Sequence, residues 1–215
     1  MSGLPRLLYL HGFASSPRSS KARYFGEKFA AIGRSVETPD LTEGDFEHTT
    51  LTQQLAFLDS FLGVKPAILM GSSMGGYLAA LFAARHPTRI PAVILMAPAF
   101  GLAGRWAHIL GADAMAEWQR VGSRPVYHYG EDREARISYN LIADGMRYAE
   151  FPDVRCPALV LHGRRDESVD YRLSEEFASG RNNVELVLYD SDHQLLDMLN
   201  PMWDRVAQFL RLTGG

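Results

Sequence analysis

Two rhythms alternate along this chain. Short runs at 7–10, 67–70, 92–97, 158–162 and 184–189 are apolar almost without interruption, the pattern of strands buried on both faces. Longer segments at 21–32, 51–62, 74–85 and 173–178 carry apolar residues at the three- and four-residue spacing of helices. A further short strand is expected at 36–38, before Pro39. Gly33 follows the first helix where a left-handed C′ residue is favoured. Asn200-Pro201 opens a last helix, with Asn as N-cap and Pro at N1. Residues 101–150 break the alternation: they are rich in Arg, Trp, Tyr and His and show no strand pattern.

Apolar strands separated by helices predict an α/β fold, a mostly parallel central sheet with helices on both faces. A length of 215 residues suits one such domain, and no internal repeat or low-complexity linker divides it. The 101–150 block is then an insertion into a single domain spanning 1–215, expected to form a small cap or lid.

Composition narrows the partners. A net charge of −3 argues against nucleic acid, whose binding relies on clustered Lys and Arg. No apolar run approaches the roughly 20 residues that a membrane-spanning helix needs. The opening MSGLPRLLYLHG runs straight into a strand, without the basic and long apolar regions of a signal peptide. The single Cys156 excludes an intramolecular disulfide and a multi-cysteine metal site. A soluble, cytoplasmic protein is the expectation.

The chemistry begins at residues 68–80, ILMGSSMGGYLAA. Gly71-Ser72-Ser73-Met74-Gly75 fits G-x-S-x-G with Ser73 at its centre, an apolar strand before it and an Ala-rich helix after it. A serine so placed sits on a sharp strand-to-helix turn, and small residues two places to either side let neighbouring backbone approach. The turn lifts the hydroxyl above the sheet at a helix N-terminus, where developing negative charge is favoured. Ser72, one residue earlier, is not the nucleophile in this register. An ordinary tight turn would also use these glycines, but the strand and helix around them favour the nucleophile.

A serine nucleophile needs a base, and a carboxylate to orient the base. On open α/β sheets the chain order is Ser, then Asp or Glu, then His, each just past a strand. Asp166 follows the 158–162 strand in HGRRDESV, and His193 follows the 184–189 strand in DSDH. Both therefore land at C-terminal strand ends, on the edge that carries Ser73. Glu167 and Asp170 compete with Asp166 but miss the H-G-x-x-D-x-x-V spacing and read as surface carboxylates. His48, His86, His108, His128 and His162 read as loop, helix-end or packing residues, and His11 as structural. Backbone N–H groups must meet the charge that develops on the carbonyl oxygen. Met74, after the serine, supplies one donor; His11-Gly12-Phe13, after the first strand, supplies the other through the Phe13 N–H.

With LYLHGF, GSSMGG, LHGRRDESV and DSDH in place, the chain resembles the serine hydrolases of the α/β-hydrolase superfamily over essentially its whole length. LLYLHGFASSPRSSKA and GSSMGGY are most similar to the YqiA-like small bacterial esterases, the UPF0227 group. The layout is also similar to ABHD-type acyl-protein thioesterases of mammalian mitochondria. The resemblance implies an α/β-hydrolase fold and hydrolysis of acyl esters and thioesters, fatty acyl-CoA among them, without a cofactor. The stretch 102–157 does not align with that group, and LHGRRDESVD is nearer the general pattern of the superfamily.

The expected partner is a small-molecule ester or thioester of a small to medium acyl group, cleaved through an acyl-enzyme. An amide or carbon–carbon hydrolase with the same triad is an alternative. A non-catalytic binder on this fold is another, disfavoured by the intact triad. Within the insert, Trp106, Trp118, Tyr127, Tyr129 and Tyr139 could line an acyl or leaving-group site, Trp106, Trp118 and Tyr139 being the candidate substrate-binding residues, although aromatic residues at loose spacing are more often packing. Arg18 and Lys21 offer an anion site after the oxyanion loop. Helix capping by Ser19 or Ser20, with solvated basic side chains, is the favoured reading of that stretch.

Overall fold

The structure is a computed structural model that describes residues 4–214, apart from the side chains of 212–214. Strands β1 (Arg6–Leu10), β2 (Val36–Glu37), β3 (Ala67–Ser72), β4 (Val93–Met96), β7 (Ala158–Gly163) and β8 (Val184–Tyr189) form one sheet. Their spatial order is β2-β1-β3-β4-β7-β8, and every neighbouring pair is parallel. The five apolar runs read from the sequence are all strands of this sheet. Successive side chains of a strand point to opposite faces, so continuous apolar runs feed two cores. Leu8, Leu10, Leu69 and Val93 enter one; Leu7, Tyr9, Met70 and Ile94 enter the other.

Helices cover both faces. On one, α1 (Ser20–Ala30) turns Ala22, Phe25 and Phe29 inward, joined by Met202, Val206 and Phe209 of α7 (Leu199–Gly214). The other face is covered by α2 (Leu51–Leu62), through Leu51, Leu55, Leu58 and Leu62, and by α3 (Met74–Arg85), with α6 (Arg172–Ala178) contributing Phe177. Ser19 caps α1 by accepting from the Ala22 N–H at 3.3 Å, and Gly33 takes the expected left-handed backbone at φ +76°. The last helix starts one residue earlier than its Asn-Pro signal, at Leu199 after a 3₁₀ turn Leu196–Met198. The Asn200 side chain is drawn away from capping by the Tyr24 hydroxyl, which donates to its Oδ1 at 2.7 Å. Pro201 still falls in the first turn, where its missing N–H has no intrahelical acceptor to lose.

The 101–150 block departs from expectation. It contains α4 (Leu102–Val121), interrupted at Gly111 (φ 78°, ψ 165°), and a short α5 (Asn140–Gly145). Between them lies an antiparallel hairpin, β5 (Ser123–His128) with β6 (Arg133–Ser138). Its strands escaped notice because only one side is covered. Ala135 and Ile137 are buried while Glu134 and Arg136 face solvent, and Pro125 breaks the pattern as it does on edge strands. The hairpin is fixed to the core by the Ser138 N–H donating to Glu47 O at 2.8 Å and by His128 edge-on to Phe46. At its turn, the Gly130 N–H donates to Ala14 O at 3.2 Å.

Candidate active site

The chain leaves β1 toward β2 on one side and later returns to β3 on the other, so a crevice opens between the C-terminal ends of β1 and β3. Ligands of open α/β sheets bind at such a switch point. The turn after β3 carries Ser73 at φ 54°, ψ −120°, a left-handed conformation that a non-glycine residue holds only under strain. Three hydrogen bonds clamp it: the Ser73 N–H donates to Met96 O at 2.9 Å, and Ser73 O accepts from Tyr77 at 3.1 Å and Ala99 at 3.0 Å. The glycines have a steric purpose. A Cβ on Gly71 would lie 2.2 Å from Gly75 O, and one on Gly75 would lie 2.2 Å from Leu10 O and 2.5 Å from His11 O. The Ser73 hydroxyl makes no capping bond to α3.

The loop after β1 passes close to this serine: a Cβ on Gly12 would stand 3.3 Å from Ser73 Cβ. The N–H groups of Phe13 and Met74 donate to no other described group, as two oxyanion donors require. His11 is buried and holds the loop from below, Nε2 accepting from the Leu41 N–H at 3.1 Å while Nδ1–H donates to Gly12 O at 3.1 Å.

Asp166 and His193, 27 residues apart in sequence, meet as expected. His193 Nδ1 lies 2.7 Å from Asp166 Oδ2, with the carboxylate fully buried and the imidazole about one quarter exposed. A carboxylate oxygen only accepts here, so Nδ1 carries the proton and Nε2 is left with a lone pair. Gly163 makes the approach of the two loops feasible, because a Cβ there would fall 2.3 Å from Ser191 O. The Asp192 carboxylate shapes the turn around the imidazole, accepting from the N–H groups of Gln194 at 2.8 Å and Leu195 at 3.2 Å.

Asp166 has a second imidazole partner that sequence reasoning passed over as packing. His162, wholly buried at the end of β7, places Nε2 3.0 Å from Asp166 Oδ2 and 3.1 Å from Val169 O. Both are acceptors, so Nε2 carries the proton, and Nδ1 then accepts from the Ser174 hydroxyl at 2.7 Å. Asp166 Oδ1 accepts from the N–H groups of Ser168 at 2.8 Å and Val169 at 2.7 Å. Burial alone would push this carboxyl up. The bonds from His162 and His193, the His193 charge and the Val169 N–H outweigh it and hold the acid well below the usual carboxylate range. The available signal was positional: His162 precedes Asp166 by four residues on a strand end that already faces the crevice. The rival carboxylates Glu167 and Asp170 are exposed.

Ser73 and His193 line one cleft of about 980 Å³, without a hydrogen bond between them in this state. One wall comes from α4, with Leu102, Trp106 and Ile109, together with Phe13. Trp106 is one of the expected aromatics that reach the cleft, standing edge-on to Phe13 at 5.8 Å. Trp118 and Tyr139 do not line it. Trp118 is 2% exposed, donates Nε1–H to Ile137 O, and backs Trp106 at 5.3 Å, while Tyr139 packs on Trp118 at 5.7 Å. Tyr129, at the hairpin turn, also lines the cleft. Lys21 departs from the expected solvated side chain: it is buried and lines the same cleft, whereas Arg18 remains exposed. Among the described residues, no three His, Cys, Asp or Glu side chains cluster as metal ligands would.

The parallel sheet, its helices and the elbow after β3 define an α/β-hydrolase fold. Mouse alpha/beta hydrolase domain-containing protein 10 superposes on 98% of this chain and 91% of its own, with TM-score 0.80 at 23% identity. Est1E from Butyrivibrio proteoclasticus, solved with ferulic acid bound, covers 99% of this chain and 90% of its own, with TM-score 0.80 at 22% identity. The chain belongs to the family described as Uncharacterised protein family (UPF0227), whose profile matches residues 6–211. It is also similar to the mitochondrial palmitoyl-protein thioesterase ABHD10 of Bos taurus, 27% identical over 209 residues, 89% of this chain and 67% of that protein.

Proposed function

We propose that the protein is a serine hydrolase that cleaves carboxylic esters or thioesters of small to medium acyl groups. The observation that carries this reading is the 2.7 Å contact of His193 with buried Asp166, in the same cleft as a strained, uncapped Ser73. Ser73 Oγ attacks the acyl carbonyl as His193 Nε2 takes its proton, and Asp166 stabilises the imidazolium and keeps its ring oriented. The N–H groups of Phe13 and Met74 receive the oxyanion. His193 returns the proton to the departing alcohol or thiol, leaving Ser73 acylated. Water, deprotonated by the same nitrogen, then releases the acid and restores the serine.

Residues 101–150 serve in this reading as the cap of a single domain. In support, α4 supplies a wall of the cleft, and the hairpin turn rests on the loop after β1. From Leu102 to Ile109 that wall extends about 10 Å at 1.5 Å per residue, which suits short and medium acyl chains. Thioesters are included because the bovine relative is named for palmitoyl-protein thioester cleavage. A cytoplasmic location is part of the same proposal: the one cysteine is free and buried, as a reducing compartment allows. The mammalian relatives are named as mitochondrial, and no described helix is long and apolar enough to cross a membrane.

Fluorophosphonate labelling tests the reading. One label per chain is expected, lost in Ser73→Ala and retained in Ser72→Ala, together with turnover of p-nitrophenyl butyrate. Labelling that survives in Ser73→Ala would overturn the assignment of the nucleophile.

A further inference from the structure

One side of the cleft holds polar donors that no described residue satisfies at hydrogen-bond distance. Lys21, in the first turn of α1, is 9% exposed and lines the cleft with Ser73 and His193. Its ammonium makes no hydrogen bond or ion pair with a described residue. The Tyr9 hydroxyl, 1% exposed and also lining the cleft, ends without a partner in the neighbourhood of Ser19 and Ser72. Other basic groups on the cleft are differently placed: Arg105 donates to Ser168 O, and Arg18 is exposed.

Lys21 is not a counter-ion of the catalytic acid. The carboxylates of Asp166 and Asp192 act on it at a distance. Each is already engaged, Asp166 by two imidazoles and two N–H groups, Asp192 by the N–H groups of Gln194 and Leu195. Burial pushes the Lys21 ammonium down to about 8, with those two carboxylates opposing the shift, so the charge persists at neutral pH. The stem is buried, but the ammonium meets the open cleft rather than a partner among the described residues. An ammonium has only donors to offer, and a phenol offers one more; together they match an anion with two oxygens.

We propose that Lys21 and the Tyr9 hydroxyl bind a carboxylate carried on the alcohol or thiol half of the substrate. This rests on the serine-hydrolase reading. The departing heteroatom must reach His193 to be protonated. Lys21 lines the cleft together with His193 and Gln194, and the proposed site accordingly stands on the leaving-group side. The wall along α4, where Leu102, Trp106 and Ile109 flank an Arg105 held to Ser168 O, takes the acyl half. The enzyme thus prefers esters whose leaving group bears a carboxylate a few bonds from the scissile oxygen or sulfur.

Three esters test this: phenyl butyrate, 3-carboxyphenyl butyrate, and phenyl hydrogen adipate, which carries its charge on the acyl half. Lys21→Met should lower the kcat/KM ratio of 3-carboxyphenyl butyrate to phenyl butyrate by about 10- to 100-fold, the worth of a charge-assisted hydrogen bond, chiefly through KM. Tyr9→Phe should lower it less, and Lys21→Arg should keep part of it. The ratio of the adipate to phenyl butyrate should hold. Lys21→Met should also melt no lower than wild type, because it removes a charge that no described residue compensates. An unchanged first ratio, an equal loss for the adipate, or a clearly lower melting temperature overturns the assignment. Should the variants not fold, wild type decides: 3-hydroxybenzoate should inhibit competitively about tenfold better than phenol, and equal inhibition overturns the proposal. Fluorophosphonate labelling of wild type separates the two failures. Labelling without charge preference overturns the Lys21 site alone; no labelling and no hydrolysis of any ester overturns both readings.

Discussion

The loop that carries Asp166 and the aromatic run of the insert differ in what holds them. At Asp166 both carboxylate oxygens have two donors, and the His162 behind it is satisfied in turn by Ser174. On the insert, rings meet rings: Trp106 on Phe13, Trp118 on Trp106, Tyr139 on Trp118. Hydrogen bonds are directional, so a displaced Asp166 loses several at once; ring packing is not, and it yields to substitution more gradually. In the proposed reading, chemistry sits where hydrogen bonds fix the geometry, and substrate range where ring packing contributes to it.

Mutations should separate these two regimes. Ser73→Ala should remove ester turnover by on the order of 10⁶ in kcat while the protein keeps its melting temperature within a few degrees. A residual rate far above that level would mean that bond-making does not depend on the elbow. Asp166→Asn is expected to cost up to about 10⁴ in kcat, because an amide nitrogen facing Nδ1 favours the wrong tautomer of His193.

The same variant has a stability signature. The Asp166 carboxyl is held below its ordinary value in the fold, so its ionised form stabilises the native state above the unfolded value of about 3.9. That contribution falls away as the pH drops through the depressed folded value. Thermal melts should therefore show Asp166→Asn less stable than wild type at pH 7, with the gap narrowing below about pH 4. A gap that widened in acid would contradict the network.

His162→Leu should act more mildly, lowering kcat by about tenfold and stability by about 1.5–3 kcal/mol, the worth of one hydrogen bond to a charged group. KM should hardly move, since His162 is buried behind the acid and does not line the cleft. Smallest of all, Trp106→Ala should redistribute kcat/KM among p-nitrophenyl esters of different chain length by a few fold, with fluorophosphonate labelling of Ser73 intact. An unchanged chain-length profile would remove Trp106 from the substrate wall.

What the sequence disclosed follows the same division. The buried strands were readable because burial on both faces forces unbroken apolar runs, and the elbow because only glycine fits where Gly71 and Gly75 touch backbone. The hairpin was hidden by the weak alternation of REARIS, where two small patches of burial do the anchoring. Trp118 and Tyr139 illustrate a different limit: an aromatic residue has the same signature whether it faces a ligand or another ring. The surroundings of His162 and Lys21 are not legible in the sequence, because they are set by how the chain folds. A histidine at a strand end reads as packing until its partners are known, and a lysine beside a helix cap reads as solvated until its burial is seen.

Gly75 carries a consequence for engineering. Bare backbone contact at this residue, with Leu10 O and His11 O where a side chain would be, sets the gap between the serine turn and the loop bearing Phe13. The two parts form an interlock with no adjustable component. Alanine at position 75 would act as a wedge, driving the Ser73 hydroxyl and the Phe13 N–H apart in one stroke. Neither could then be retuned alone, whereas α4 is, in the proposed reading, an exchangeable panel. Grafts that seek new substrates should therefore swap the panel and leave the hinge pin untouched.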